Sequence, residues 1–387
     1  MGIQKRLAAL CLAVIFLLSG CSMLIERTYL DVRPHQVVVT PDINTEAYIT
    51  VTSQQELERA IWNMVQLRVE RGLFRIPYLQ VDDALEMVDA AVQEVWLRPL
   101  AAYAVSTFLP LLVEGPITEM ELVISYQKSA AQIAGVHTVN SSTTATALLG
   151  QMLRNGDPYL ALLSPANIAN VAFLEAIIRD YYYSQALEIV LLPHVVINLY
   201  PSSGSGNLRI AEVVLDFGFD QHTLVQMRGE LRRAATELVG EIPGDLSVPE
   251  QIIWLGGTLS DRIELVVLEE YEERPALPSV YDTAFGALVG RVATSEGIAM
   301  ALQTVLTLLD VEAQIVRGEL NGLPHAWNIL AFEGYYYHID ASMLLEFGPM
   351  YALFVPDEVM MFQNGYSWDA VLYPRADSLL RYDDFAG

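Results

Sequence analysis

Cysteine is nearly absent from this chain: there are two, Cys11 and Cys21, and both lie at its start. Everything after them lacks a thiol, which excludes disulfides, thiolate metal sites and a cysteine nucleophile. Positive charge is scarce as well. Lys and Arg number 22 against 47 Asp and Glu, a formal net charge of −25. A surface this acidic repels nucleic acid and anionic lipid, and neither is expected as a partner. His35, His137, His194 and His222 are scattered and have no metal-ligand spacing. Beyond the N-terminus no apolar run suits a membrane span; "ALEIVLLPHVVINLY" is broken by Pro193 and His194 and reads as a strand. What is plentiful is apolar material. With 53% apolar and 18% charged residues the chain can build large cores, and its length suits two or three domains.

The N-terminus, "MGIQKRLAALCLAVIFLLSGC", joins a basic start (Lys5, Arg6) to an apolar run from Leu7 to Leu18, the layout of an export signal. Leu18-Ser19-Gly20-Cys21 resembles a bacterial lipoprotein lipobox. The resemblance implies a cleaved signal peptide over 1–20, lipid on Cys21, and an extracytoplasmic protein anchored to a bacterial membrane. The plainer alternative is a secretory signal with an incidental cysteine. Two or three acyl chains anchor stably, whereas one is marginal. Loss of Lys5 and Arg6 with the signal leaves 20 basic against 47 acidic residues, or −27. Residues 21–49, with "VRPHQVVVTPDINTE", read as an extended tether.

Residues 50–220 read as a duplication, with units at about 50–130 and 141–220. The first has helices over 54–70 (Leu57, Ile61, Met64, Val65 and Val69 on one face) and 83–97 (Leu85, Val88, Val92, Val95). Two strand-like runs follow, "AAYAVSTFLPLLV" and "ITEMELVISY". The second unit repeats that order, and its last strand aligns with the first unit's. Met120, Leu122, Ile124 and Tyr126 match Val213, Leu215, Phe217 and Phe219, an alternation that puts each set on one face. Two unrelated segments of similar class are the bland alternative. Nothing in either unit points to chemistry.

Residues 221–387 carry the motifs that do. "SEGIAMALQTVLTLL" reads as a helix with an apolar stripe at Ile298, Leu302, Val305 and Leu309, opening on Ser295. "GLPHAWNILAFEGYYYHIDAS" reads as two strands joined by a turn at Glu333-Gly334, which brings His325 and Asp340 side by side. The lead-in "SVYDTAFG", the helix start, "HAWN", "YHID" and the tail "YALFVPDEVMMFQNGYSWDAVLYP" together resemble the transglutaminase-like superfamily, whose fold is papain-like. The resemblance covers roughly 280–374, with weaker similarity back to about 50. It implies an α+β chain, a nucleophile at the N-terminus of a buried helix, and acyl transfer assisted by His325 and oriented by Asp340. It also implies Trp327 and Asn328 as binding residues beside the triad, and neither metal nor cofactor. A buried His–Asp pair, Trp327 and Asn328 are equally compatible with simple packing.

The departure from the family pattern is Ser295 where active members carry cysteine. A histidine and a helix end can ionise a thiol, but a hydroxyl is far more basic and loses its proton only during attack. Three readings of Ser295 stay open: a helix N-cap in a degenerate site, a serine nucleophile, and a motif register or introduced substitution that misplaces the residue. The favoured function is a non-catalytic module binding a cell-envelope peptide or partner protein. The rival is an acyl transferase, amidase or protease using Ser295, His325 and Asp340. A structural spacer is the third, favoured by a filled cleft.

Overall fold

The computed structural model of the protein describes residues 48–386 except Tyr78, Glu114, Pro116, 204–205 and 267–278. The expected export signal, Cys21 and the expected tether as far as Ala47 lie outside the described residues. Tyr48–Gly387 forms one compact unit of mixed α+β structure. No helix among the described residues is long and apolar enough to cross a membrane.

The chain enters through β1 (Ile49–Thr50), then α1 (Gln54–Leu67), β2 (Arg71–Ile76), α2 (Val81–Trp96), α3 (Pro99–Ala104), β3 (Val105–Val113) and β4 (Thr118–Tyr126). These strands make a sheet in the order β1-β2-β4-β3, with only β1 and β2 parallel. After α4 (Ala130–Ala134) come β5 (Val136–Thr138), α5 (Ser142–Asn155), β6 (Tyr159–Pro165), α6 (Val171–Ser184), β7 (His194–Tyr200) and β8 (Leu208–Asp216). Their sheet runs β5-β6-β8-β7 with the same parallel and antiparallel pairings. Met120 and Val213 hold equivalent places: Met120 sits between Phe74 and Leu112, Val213 between Leu160 and Ile197, and both are buried.

Each unit is therefore strand–helix–strand–helix–strand–strand, two strands more than the sequence pattern suggests. The strands not expected are β1, β2, β5 and β6; of these β1 and β5, at two and three residues, are too short for alternation to register. Three local readings also change. Pro99–Ala104 is helical: Pro99 opens the turn and an alanine-rich segment continues it. The run before Pro193 is irregular chain, with Ile189, Val190 and Leu191 buried as core filling, and the strand starts at His194. Phe219 is exposed because β8 ends at Asp216 and Gly218, at φ +69°, turns the chain away.

The remainder comprises α7 (Gln221–Glu241), α8 (Val248–Arg262), β9 (Glu264–Leu265), β10 (Val292–Ala293), α9 (Ser295–Leu308), β11 (Ala313–Leu320), β12 (Leu323–Phe332), β13 (Tyr335–Ile339), short helical turns and β14 (Tyr366–Ser367). The antiparallel sheet β13-β12-β11-β14 owes its register to two tight turns, Asn321-Gly322 (φ 53° and 81°) and Glu333-Gly334 (φ 52° and 83°). Positive φ at both central residues matches the right-handed twist of paired strands. One face of this sheet (Ala326, Leu330, Tyr337, Ile339) lies in the core shared with α9; the other (Val316, Trp327, Ile329, Tyr366) closes a smaller core. The larger core is continuous from Val139 through Leu224 and Leu231 to Phe354. The boundary expected near residue 220 falls at Asp220, the N-cap of α7, and that core runs across it.

Candidate active site

α9 begins where Thr294 caps it. The Thr294 hydroxyl accepts from the Gly297 N–H (3.4 Å) and donates to Asp282 (2.7 Å). Ser295 is thus the first helical residue, and the N-cap role considered for it belongs to its neighbour. Its hydroxyl is free to look outward from the helix start, and there Oγ accepts the Ala326 N–H at 3.2 Å. Gly297, two residues on, lets this end of the helix sit tightly: a Cβ there would lie 2.3 Å from the Tyr281 carbonyl oxygen. The α9 start is thereby pinned between the Tyr281–Thr283 turn and β12.

β12 and β13 supply the other expected residues. Alternation puts His325, Trp327 and Ile329 on the face opposite α9, and the β12–β13 register brings Asp340 diagonally next to His325. His325 Nε2 and Asp340 Oδ2 are 2.6 Å apart. Asp340 also accepts from Tyr366 Oη (2.7 Å), Ser342 Oγ (2.5 Å) and the N–H groups of Ser342 (3.0 Å) and Met343 (3.2 Å). Burial pushes its carboxyl upward, but the pull of His325 and these donors outweighs it and holds the pKa below the ordinary aspartate value. Asp340 is therefore an anion that only accepts, so His325 carries its proton on Nε2 and keeps Nδ1 as the basic nitrogen. The Tyr366 hydroxyl is pushed strongly upward by burial and then by the Asp340 charge, so it stays a donor.

Behind this pair stands a second one. Trp327 Nε1–H donates to His338 Nδ1 (2.9 Å), and His338 Nε2 lies 2.8 Å from Asp357 Oδ1. Accepting from Trp327 leaves His338 neutral with its proton directed at Asp357, and burial lowers its pKa in the same sense, with Asp357 opposing. The indole so held lies nearly parallel to the His325 ring, 29° between planes and 6.2 Å between centroids.

Ser295, His325 and Asp340 are thus brought into one neighbourhood, but not into one hydrogen-bonded chain. Among the described residues no hydrogen bond joins Ser295 to His325. Trp327 and Asn328, expected as binding residues, are each 1% exposed. The indole lies against the His325 ring and the Asn328 amide donates to the Ala299 carbonyl at 3.0 Å, contacts that hold β12 in place. Four participants were not singled out from sequence: Thr294, Ser342, Tyr366 and Asp357. Thr294 had a local signal, a good capping residue before an apolar helix. Tyr366 and Asp357 lie in the tail that carries the resemblance, but no local pattern ties them to the site, which they reach from 26 and 19 residues away along the chain.

A cleft of about 660 Å³ adjoins the site, lined by Arg262, Glu264, Arg291, Ile298, Ser342 and Glu346 among others. It shares Ser342 with the His325–Asp340 network, while Ser295 and His325 are not part of its wall. No group of three or more His, Cys, Asp or Glu among the described residues is placed to hold a metal.

No family model and no curated protein matches the chain. Solved structures that match include a provisionally named cysteine protease from Cytophaga hutchinsonii (12% identity, 46% of this chain and 68% of that one, TM-score 0.25). A second is a TGase (9%, 63% and 67%, TM-score 0.28), and a third a provisionally named protease from Parabacteroides distasonis (9%, 61% and 53%, TM-score 0.24). These are the kinds of fold to which the motifs pointed.

Proposed function

We propose that this chain is a lipid-anchored extracytoplasmic protein whose transglutaminase-like site has kept its histidine–aspartate pair without a working nucleophile, and that it binds a cell-envelope peptide or protein partner. One observation carries the non-catalytic reading. The Ser295 hydroxyl takes its hydrogen bond from the Ala326 backbone, and no bond links it to the imidazole that would have to remove its proton. A hydroxyl needs that base throughout the attack, whereas a thiol can ionise beforehand. A serine enzyme acting on envelope peptides is the second reading. It draws on the His325–Asp340 pair, in which Asp340 is buried and held by several donors while His325 Nδ1 is unengaged.

Fluorophosphonate labelling separates the two. The native protein is expected to resist the reagent, and labelling of Ser295 that disappears in His325→Ala would establish the serine enzyme. In Ser295→Cys, His325 and the helix end should lower the thiol pKa. Alkylation faster than that of an exposed thiol, and slowed by His325→Ala, is then expected. Ordinary reactivity would mean that the site has lost more than its nucleophile. For the anchor, Cys21→Ala should abolish palmitate incorporation and membrane retention; unchanged retention would sink that part.

A further inference from the structure

The two repeats differ in what covers the outer faces of their sheets. In the second sheet that face holds Tyr159, Asn198, Tyr200, Ile210 and Glu212, and the first repeat lies against it. Tyr103 of α3 packs edge-on against Tyr200 at 5.5 Å, and Lys128 pairs with Glu212, which is 4% exposed. In the first sheet the corresponding face carries Leu109, Leu111 and Val113 along the edge strand β3, and these are 53%, 46% and 62% exposed. The register equates them with His194, Val196 and Asn198 of β7. The first repeat thus carries three adjacent exposed aliphatic side chains, where the second has only one, Val196, which is itself 42% exposed.

The same register says where the chain enters. Ile49 pairs with Phe74 and Thr50 with Arg75, so Thr50, Arg75, Glu119 and Val113 share a row and a face. Tyr48 belongs to that face too: its hydroxyl donates to Glu119 (3.1 Å) and its ring lies under Arg75 (4.2 Å). Arg71 and Arg75 pair there with Glu121 and Glu119, leaving the middle of the sheet neutral. Between Cys21 and Tyr48 lie 26 residues, a reach of at most about 90 Å.

We infer that the outer face of the first sheet docks on the surface of the lipid bilayer, seating Leu109, Leu111 and Val113 among the headgroups. This rests on the lipid anchor proposed above. Cys21 holds the bilayer within tether range of this face, so contact becomes an intramolecular event for which a weak apolar stripe suffices. The Arg–Glu pairs offer no net charge to anionic lipid, and the acidic body opposes it, so zwitterionic lipid is favoured.

The test uses the full chain, processed in a bacterium and placed in phosphatidylcholine vesicles. Leu111→Cys and, as the internal control, Val196→Cys each carry an environment-sensitive fluorophore; Cys21 is blocked by its lipid. The Leu111 probe should shift to the blue and be quenched by brominated acyl chains, while the Val196 probe stays in water. Replacing phosphatidylcholine with phosphatidylglycerol should weaken that quenching. Protein that does not float with the vesicles overturns both the anchor and the docking. Floating protein whose Leu111 probe is as wet as the Val196 probe overturns the docking alone. A blue shift without bromolipid quenching also overturns it, because the face would then be covered by protein.

Discussion

At the scale of single residues, the helix start is a division of labour. Thr294 caps it and Ser295 faces β12, so exchanging either tests a different thing. Thr294→Ala removes a cap and the bond to Asp282, and should cost about 1 kcal/mol of stability, read as a lowered Tm. An unchanged Tm would mean that the cap is dispensable. Two buried groups beside the site also contribute to the pH response. His338 has a depressed pKa, so acidification through about 6.5 protonates it in the unfolded chain first and stability falls. Asp340 is depressed as well; its contribution is complete above the ordinary aspartate range and is lost as pH drops below it. Denaturant melts should therefore weaken in two stages, first below neutrality and again below about pH 4. A flat stability between pH 7 and 5 would contradict the assignment of His338.

Among the elements, α9 and its neighbours are fitted by exclusion of atoms. Alanine usually improves a helix over glycine by about 1 kcal/mol. At Gly297 the sign should reverse, since a methyl group would meet the Tyr281 and Thr283 carbonyls at 2.3 and 3.1 Å. Gly297→Ala is expected to destabilise by about 1–3 kcal/mol, the usual range for overpacking. A gain in Tm would show that the Tyr281–Thr283 turn yields easily. The hairpins are local in another way. Glu333-Gly334 was legible in the sequence because two strands joined by that pair can hardly turn otherwise. The first turn, Asn321-Gly322, has the stronger signature, and together they align three strands without help from the rest of the chain.

For the whole molecule, the decisive features are the shared core and the buried pair between repeats. Leu231 on α7 is wholly buried in a core running from the second repeat to Phe354. Leu231→Ala should cost about 2–5 kcal/mol and lower the unfolding of both regions together, followed by fragments from limited proteolysis. Loss of protection in one region alone would mean that the core is divided. Lys128 and Glu212 make the complementary case. Burial raises the Glu212 pKa, but Lys128, Tyr200 and Asn198 outweigh it, so Glu212 stays a carboxylate. Lys128→Ala strands a buried carboxylate and should cost about 3–5 kcal/mol, whereas Lys128→Met with Glu212→Leu should restore most of that. Equal losses in the single and double variants would place the energy in packing instead.

The sequence by itself determined what needs only neighbours: the alternating faces of β4 and β8, the apolar stripe of α9, the tight turn at Glu333-Gly334, and hence the meeting of His325 with Asp340. These follow from backbone period and local φ, which a short window contains in full. It missed β1 and β5 as too short, it passed over β2 and β6, and it read the run from Ala101 as strand because an alanine-rich segment has no alternation to judge. Only the tertiary structure decided that the Ser295 hydroxyl takes a β12 N–H and that Trp327 and Asn328 are buried. It alone brought Tyr366 and Asp357 to the site and left the outer face of the first sheet open. Each of those depends on atoms far apart in sequence, and partners chosen by packing leave no mark on the local pattern of residues.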